Sequence, residues 1–374
     1  MMIAAVNERI EPTAPAHIGF LDGIRALAAL WVMVHHFSQI GPAPWGMHWF
    51  ASFMSTGYLA VPVFIVLSGY SLMLPVLRAD GALRDGAGGF LRRRFRRILP
   101  AYYAAVAATV LFYGIWDVVN KVLHKSSPPW GDWAYGFYNV LTHLLMIHNL
   151  FPQYRQELNA PMWSVGTEMD IYFLFPVLLL PLWRRYGPWI PIVLYLSITA
   201  ALPPSFGYLY TWFVGLFAAG MAAASLRYSH RVSDRKFSKV VRTPIVPIVL
   251  TGLLVWSFRS DAYFAIRETS FGLMAAWLMF RLSDSGPTSR WGKVLSGPTL
   301  TNVAKFSYSL YLTHSFFVVF ARSAYPHVAR FGSIAYFVLV VLGCAVSILF
   351  AARFSNVFEY PKFLYRKQVV AVSG

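Results

Sequence analysis

The sequence holds one cysteine, Cys344, in 374 residues, which excludes an internal disulfide and any multi-cysteine metal site. It is also poor in charge. Only 13% of its residues are Asp, Glu, Lys or Arg, where a soluble chain would carry about a quarter. Acids are the scarcer sign, 15 against 32 Lys and Arg, for a net charge of +17. In a soluble protein that balance would point to nucleic acid. Here the basic residues sit in short segments between apolar runs, so the positive-inside rule accounts for them and no nucleic-acid partner is expected. No long alternation of polar and apolar residues is present, which argues against a membrane β-barrel. No small-residue cleavage site follows the first apolar run, so no cleaved leader is expected. Internal repeats and low-complexity tracts are lacking, and no segment between apolar runs is long enough for an appended soluble domain. The expectation is one membrane domain over 1–374.

What the sequence has in abundance is apolar surface, 57% of its residues. Apolar runs of roughly 17–22 residues recur from end to end, each about long enough to cross a bilayer as a helix. Lipid cannot satisfy backbone polar groups, so such runs must be helical. The fold class is therefore all-α: a polytopic integral membrane protein of about ten transmembrane helices, at 20–40, 56–77, 98–116, 164–183, 188–203, 208–226, 244–260, 263–283, 303–321 and 334–352.

Loop charge sets the sidedness. Arg78 to Arg97 contains seven arginines, and Arg227 to Arg242 contains six Lys and Arg. The tail adds Arg353, Lys362, Arg366 and Lys367. All three should face the cytoplasm. The first two share a side only if an even number of spans separates them. The short apolar segment Tyr138 to Leu150, with His143, His148 and Asn149, is accordingly read as re-entrant or interfacial. Both tails, 1–18 and 354–374, are then cytoplasmic and the long loop Asp117 to Trp163 lies outside. Lys121 and Lys125 are a basic minority on that outer side. The expected location is the inner (plasma) membrane.

Five polar motifs interrupt the apolar text. In LDGIRALAALWVMVHHF, Leu21 to Phe37, Arg25 and His36 are eleven residues apart. On a helix that is about 20° from whole turns, so they share a face about 16 Å apart along the axis, while His35 points about 100° away. Charges at membrane depth are costly and usually face a cavity or a partner. The plainer reading is that Asp22 and Arg25 sit at the interface and that His36 is a satisfied bundle histidine. In PMWSVGTEMDIYFLFP, Pro161 to Pro176, Ser164, Glu168 and Tyr172 share one face. Glu168 either serves His36 or an acceptor hydroxyl, or merely favours a helix N-terminus. FLRRRFRRILPAYY, Phe90 to Tyr103, is an anchor or a phosphate site, since guanidinium forks suit phosphate oxygens. FSYSLYLTHSF carries Ser307, Tyr311 and His314 on one stripe. VFIVLSGYSL, around Ser68 and Gly69, suggests close helix packing.

In this order the motifs resemble the acyltransferase-3 family of integral membrane O-acyltransferases, from Leu21 to about Phe317. Arg25 and His36 match its opening arginine and histidine with ten residues between. Leu67 to Tyr70 match its serine–glycine element. Arg93, Arg94, Arg97, Ile98 and Pro100 match its basic motif in a slightly shifted arrangement. Trp163, Ser164 and Glu168 match its tryptophan–serine–glutamate element, and Ser307 to His314 match its closing motif. One departure is Ala60 to Phe64, where the family often has an acid.

The resemblance implies transfer of an acyl group, commonly acetyl, from cytoplasmic acyl-CoA to a hydroxyl of a carbohydrate or glycolipid of the envelope, such as lipopolysaccharide or exopolysaccharide, without a metal. It implies His36, Arg25 and Glu168 as catalytic, and Arg93, Arg94, Arg97 and Ser68 at the acyl-CoA. It implies Trp163, Ser164, Tyr172 and His314 at the acceptor. Direct attack on the thioester is favoured over an acyl-enzyme, because G-x-S-x-G is absent and Cys344 lacks a basic partner. Two other classes make different demands on the sequence. A transporter or flippase should show broken helices in repeated halves. A non-catalytic scaffold should tolerate loss of His36 and Glu168.

Overall fold

The computed structural model describes residues 14–42, 46, 48–122, 136–203, 206, 209–259, 264–286 and 288–359. Lys125, Lys362, Arg366, Lys367 and most of the expected N-terminal tail lie outside the described residues. Among the described residues every regular element is helical.

Each expected span falls on a helix. These are α1 (Gly19–Phe37), α3 (Ala60–Arg78), α4 (Gly86–Val122), α6 with α7 (Met162–Leu174, Leu180–Tyr186), α8 (Ile190–Ala201), α9 (Trp212–Tyr228), α11 (Ile245–Arg259), α12 (Phe264–Ser285), α15 (Ser307–Val328) and α16 (Ser333–Phe354). Short helices α2 (His48–Met54), α5 (Phe137–Leu144), α10 (Val232–Val241), α13 (Arg290–Leu295) and α14 (Pro298–Ala304) fill the connections. Among the described residues, four stretches are long and apolar enough to cross a bilayer: His48–Arg78, Gly86–Val119, Met162–Tyr186 and Ser333–Glu359. A fifth joins them if the bent pair Asp234–Val241 and Ile245–Arg259, at 63°, counts as one. The others are short, such as α8 with 12 residues, or carry polar groups, as α1 does with Asp22, Arg25, His35 and His36.

Tyr138 to Leu150 does not form a span. Its eight-residue helix α5 would rise only about 12 Å and gives way to a turn at Met146 (φ 57°) and a single 3-10 turn, His148–Leu150.

The core is organised around α9, whose Trp212–Leu226 face is buried on every side. A helix apolar all round belongs inside a bundle. Its small residues allow that position. A Cβ on Gly220 would come within 1.9 Å of the Val66 carbonyl oxygen, and one on Gly69 within 2.0 Å of the Phe217 carbonyl oxygen. Thus α3 and α9 touch backbone to backbone, and Ser68-Gly69 is the packing element the sequence suggested. At the periphery, α11 and α16 turn Ile248, Trp256, Ile334 and Leu349 outward, apolar faces of the kind that lipid covers.

The basic segments gather at one end. Arg184 donates from Nε to the Gly81 carbonyl (2.6 Å), and Arg231 donates to the carbonyls of Trp183 and Arg184 (2.6 and 2.7 Å). Arg242 holds Asp284 bidentately at 2.9 and 3.0 Å, with Arg227 and Arg281 within 4.0 Å. Those hydrogen bonds from Arg242 keep the Asp284 carboxyl below its usual range. One end thus carries the Arg78–Arg97, Arg184–Arg185 and Arg227–Arg242 segments together, as the even span count requires.

Candidate active site

A cavity, partly open to solvent, lies between α1, α3, α4, α6 and α15. Its basic end is lined by Arg25 of α1 and by Arg94 and Arg97 of α4. Its middle holds Ser68, Glu168 and Tyr172, and its far end Ser164 and Tyr311. Each helix contributes where a polar motif interrupts its apolar run.

Arg25 is fixed by a 2.7 Å ion pair with Asp22, one turn earlier. Arg94 is largely buried beside the Phe90 ring, and its Nε has no hydrogen-bond partner among the described residues. A buried donor without an acceptor costs about 1–3 kcal/mol, which an anionic ligand in the cavity would recover. Arg93 is placed differently. It turns outward to an ion pair with Asp85 and does not line the cavity.

Glu168 is the seventh residue of α6, so it does not cap a first helical turn. It accepts a 2.5 Å hydrogen bond from the Tyr172 hydroxyl. That hydroxyl has spent its one proton, so the 3.0 Å contact with Ser68 must be donated by Ser68 Oγ. The result is a relay Ser68 to Tyr172 to Glu168 across α3 and α6. By the same logic, Ser164 donates to the Pro161 carbonyl (3.2 Å) and accepts from Tyr311 (2.6 Å), tying α6 to α15.

His36 and His314 do not line this cavity. They lie beyond its Tyr311 end and bond to each other, Nδ1 of His36 to Nε2 of His314, at 3.0 Å. His314 follows Tyr311 by one turn of α15, with ring centroids 6.2 Å apart. His35 points elsewhere, to the Met54 carbonyl (3.3 Å) and Gln39 (3.3 Å). Trp163 also lies apart, stacked on Tyr210 at 4.0 Å within an aromatic cluster that includes Phe213.

Sequence reasoning missed three groups. Tyr308 lines the cavity and donates to the Ile98 carbonyl (3.3 Å). Glu359 accepts from both the backbone N–H and the hydroxyl of Ser309, at 3.3 and 2.8 Å. Asn159 donates to the Leu312 carbonyl (3.0 Å) and accepts from Ser315 (2.8 Å). An acid just after an apolar span was the one available signal, for Glu359. Among the described residues no group of three or more His, Cys, Asp or Glu could hold a metal ion.

Comparison with known proteins places the chain in a family. A protein of Staphylococcus aureus (strain COL) named "Putative O-acetyltransferase" is 25% identical over 378 residues, covering 94% of this chain and 58% of the relative. The "O-acetyltransferase OatA" of S. aureus (strain NCTC 8325 / PS 47) is 22% identical over 344 residues, covering 83% and 52%. The "Putative peptidoglycan O-acetyltransferase YrhL" of Bacillus subtilis (strain 168) is 30% identical over 173 residues, covering 44% and 24%. The chain thus spans little more than half the length of the curated relatives that it matches along most of its own. No solved structure matches it significantly. The family model described as "Acyltransferase domain" matches residues 18–352, and the chain belongs to the acyltransferase-3 family.

Proposed function

We propose that this protein is a membrane O-acyltransferase that moves an acyl group, acetyl by analogy with its named relatives, from acyl-CoA to a hydroxyl of a cell-envelope carbohydrate. The observation that carries the reading is the convergence of Arg25, Arg94 and Arg97 on a cavity inside an apolar bundle, with the Nε of Arg94 lacking a partner among the described residues. In this reading the basic end faces the cytoplasm of an inner membrane. The guanidinium groups hold phosphates of the coenzyme A portion, and the pantetheine arm runs past Ser68 and Glu168 toward Ser164 and Tyr311. The acceptor meets the thioester at the Tyr311 end, where His36 is the general base and Trp163 belongs to the acceptor's approach.

The reaction balances without a covalent enzyme intermediate. The acceptor oxygen bonds to the thioester carbonyl carbon as its proton passes to His36. The carbon–sulfur bond breaks, the coenzyme A thiolate leaves, and the proton ends on sulfur. Holding both reactants in one bundle supplies the proximity term. Arg25 or a hydroxyl of the cavity stabilises the oxyanion. Because one relative is named for peptidoglycan, that polymer is the first acceptor to test. Lipopolysaccharide, exopolysaccharide and lipid-linked precursors follow.

The test is mass spectrometry of envelope glycans and glycolipids from the wild type, a deletion strain and a His36→Ala strain. Loss of an acyl-sized mass in both mutants is the expected result. Unchanged acylation, with altered export of a glycan, would instead support the transporter reading.

A further inference from the structure

His36 and His314 stand 278 residues apart in sequence, yet their ring nitrogens meet at 3.0 Å. Which protons they carry follows from their other partners. Nδ1 of His314 lies 2.9 Å from the Leu310 carbonyl oxygen, which can only accept, so in the neutral ring that nitrogen bears the proton. Nε2 of His314 then has a bare lone pair, and it is this atom that faces His36. Nδ1 of His36 therefore looks at two acceptors, Nε2 of His314 and the Val32 carbonyl oxygen at 3.1 Å. It must carry the proton. The lone pair of His36 is left on Nε2, which has no protein partner among the described residues.

We propose that His314 is the positioning residue of the base. It accepts the Nδ1 proton of His36, fixes the tautomer that exposes Nε2, and stabilises the imidazolium that forms when Nε2 takes the acceptor hydroxyl's proton. A neutral imidazole takes the place here that a carboxylate takes in Ser-His-Asp triads. The dyad begins and ends each turnover neutral, since the proton gained at Nε2 leaves with the coenzyme A sulfur. This rests on the reading of His36 as base.

Nothing about His314 is left to swing. Asn159 clasps the helix on both sides of it, donating to Leu312 and accepting from Ser315, and its amide also reaches Thr109 of α4 at 3.3 Å. His314 and Asn159 are 0% and 2% exposed. A histidine serving as an acceptor-binding group would present a nitrogen to the cavity. Here both ring nitrogens are engaged, one by its own helix and one by His36.

The experiment uses the full chain in membranes, with O-acyl content of the envelope and binding of acetyl-CoA as separate readouts. His36→Ala should remove transfer. His314→Leu deletes the accepting nitrogen and should lower transfer about 10- to 100-fold, the range seen when the partner that orients a metal-bound histidine is lost. His314→Gln restores an acceptor oxygen and should recover a large part of that loss. Acetyl-CoA binding should stay within about twofold in all three, because none of these residues lines the arginine cavity. If His314→Leu transfers normally, if Gln is no better than Leu, or if acetyl-CoA binding falls in step with transfer, the positioning role is wrong. If His36→Ala retains activity, the base assignment itself fails.

A measurement on the unsubstituted protein keeps the test alive should a variant not accumulate. Nitrogen-15 NMR of histidine-labelled protein in bilayers should show His36 protonated at Nδ1, with a coupling across the hydrogen bond to Nε2 of His314. A His36 protonated at Nε2 overturns the proposal.

Discussion

Glu359 accepts two hydrogen bonds from Ser309, one from its backbone N–H and one from its hydroxyl. The pair joins the last described turn of the chain to the first turn of α15. That turn carries Ser307 and Tyr308 into the cavity, while Tyr311 and His314 follow on the same helix. A carboxylate at a helix N-terminus satisfies an orphan donor and favours the dipole. Glu359→Ala should therefore loosen α15, costing about 1–3 kcal/mol through the unmet Ser309 donors. Glu359→Gln keeps an acceptor and should cost less. Thermal unfolding in detergent compares them. Equal stability of the Ala variant and the wild type would remove Glu359 from the frame of the site.

His35 and His36 are neighbours with different surroundings. The first is packed against the Met54 and Gln39 segment, the second against α15. His36→Ala should lower transfer at least about 100-fold, the lower range for a general base. His35→Ala should leave it within a few-fold. O-acyl content of the envelope at matched protein level reads both. A dead His35 variant beside an active His36 variant would reverse the assignment.

Arg94 and Arg93 are adjacent in sequence but only Arg94 enters the cavity. Arg94→Ala should weaken acetyl-CoA binding about tenfold or more, consistent with the loss of a charge-assisted hydrogen bond. Arg93→Ala, which loses a surface ion pair with Asp85, should change it less than twofold. Isothermal titration with acetyl-CoA distinguishes them, and equal losses would mean that the ligand lies along the α4 surface instead.

Asp284 gathers Arg242, Arg227 and Arg281 at the basic end. Its carboxyl is held below the usual range by the Arg242 hydrogen bonds. A depressed folded-state value contributes stability that is present above the ordinary aspartate range and lost as pH falls through the lowered one. Asp284→Asn should cost about 0.5–1 kcal/mol at pH 7, the range left after solvent screening of exposed ion pairs, and the gap from wild type should close in acid. A gap independent of pH would assign the effect to packing.

Most of the helices are legible in the sequence because apolar runs announce themselves by length, although among the described residues only four or five stretches are long and apolar enough to cross a bilayer. An even span count leaves Tyr138–Leu150 out of the spans, and the segment folds as an eight-residue helix and a turn. The facing of Arg25 and His36 follows from helical period alone. Arg25 lines the cavity, and His36 meets the helix that bounds it. What the sequence hides are partners without a period. Nothing near Ser309 signals Glu359 fifty residues on, and nothing near His36 signals His314. Arg93 and Arg94 look interchangeable in FLRRRFRRILP until α4 is wound and one of them turns outward.

Gly69 and Gly220 leave no side-chain layer between α3 and α9. Two helices in backbone contact have nothing to slide on, so they travel as one rigid plank. Ser68 rides on that plank and gives the cavity an immobile wall. The opposite wall is built differently: Pro176 sits in a π-turn over Phe175–Leu179, and α6 is tied to α15 through the hydroxyls of Ser164 and Tyr311. The relay from Ser68 through Tyr172 to Glu168 thus spans the seam between a wall of helices in backbone contact and a wall whose helix changes its winding.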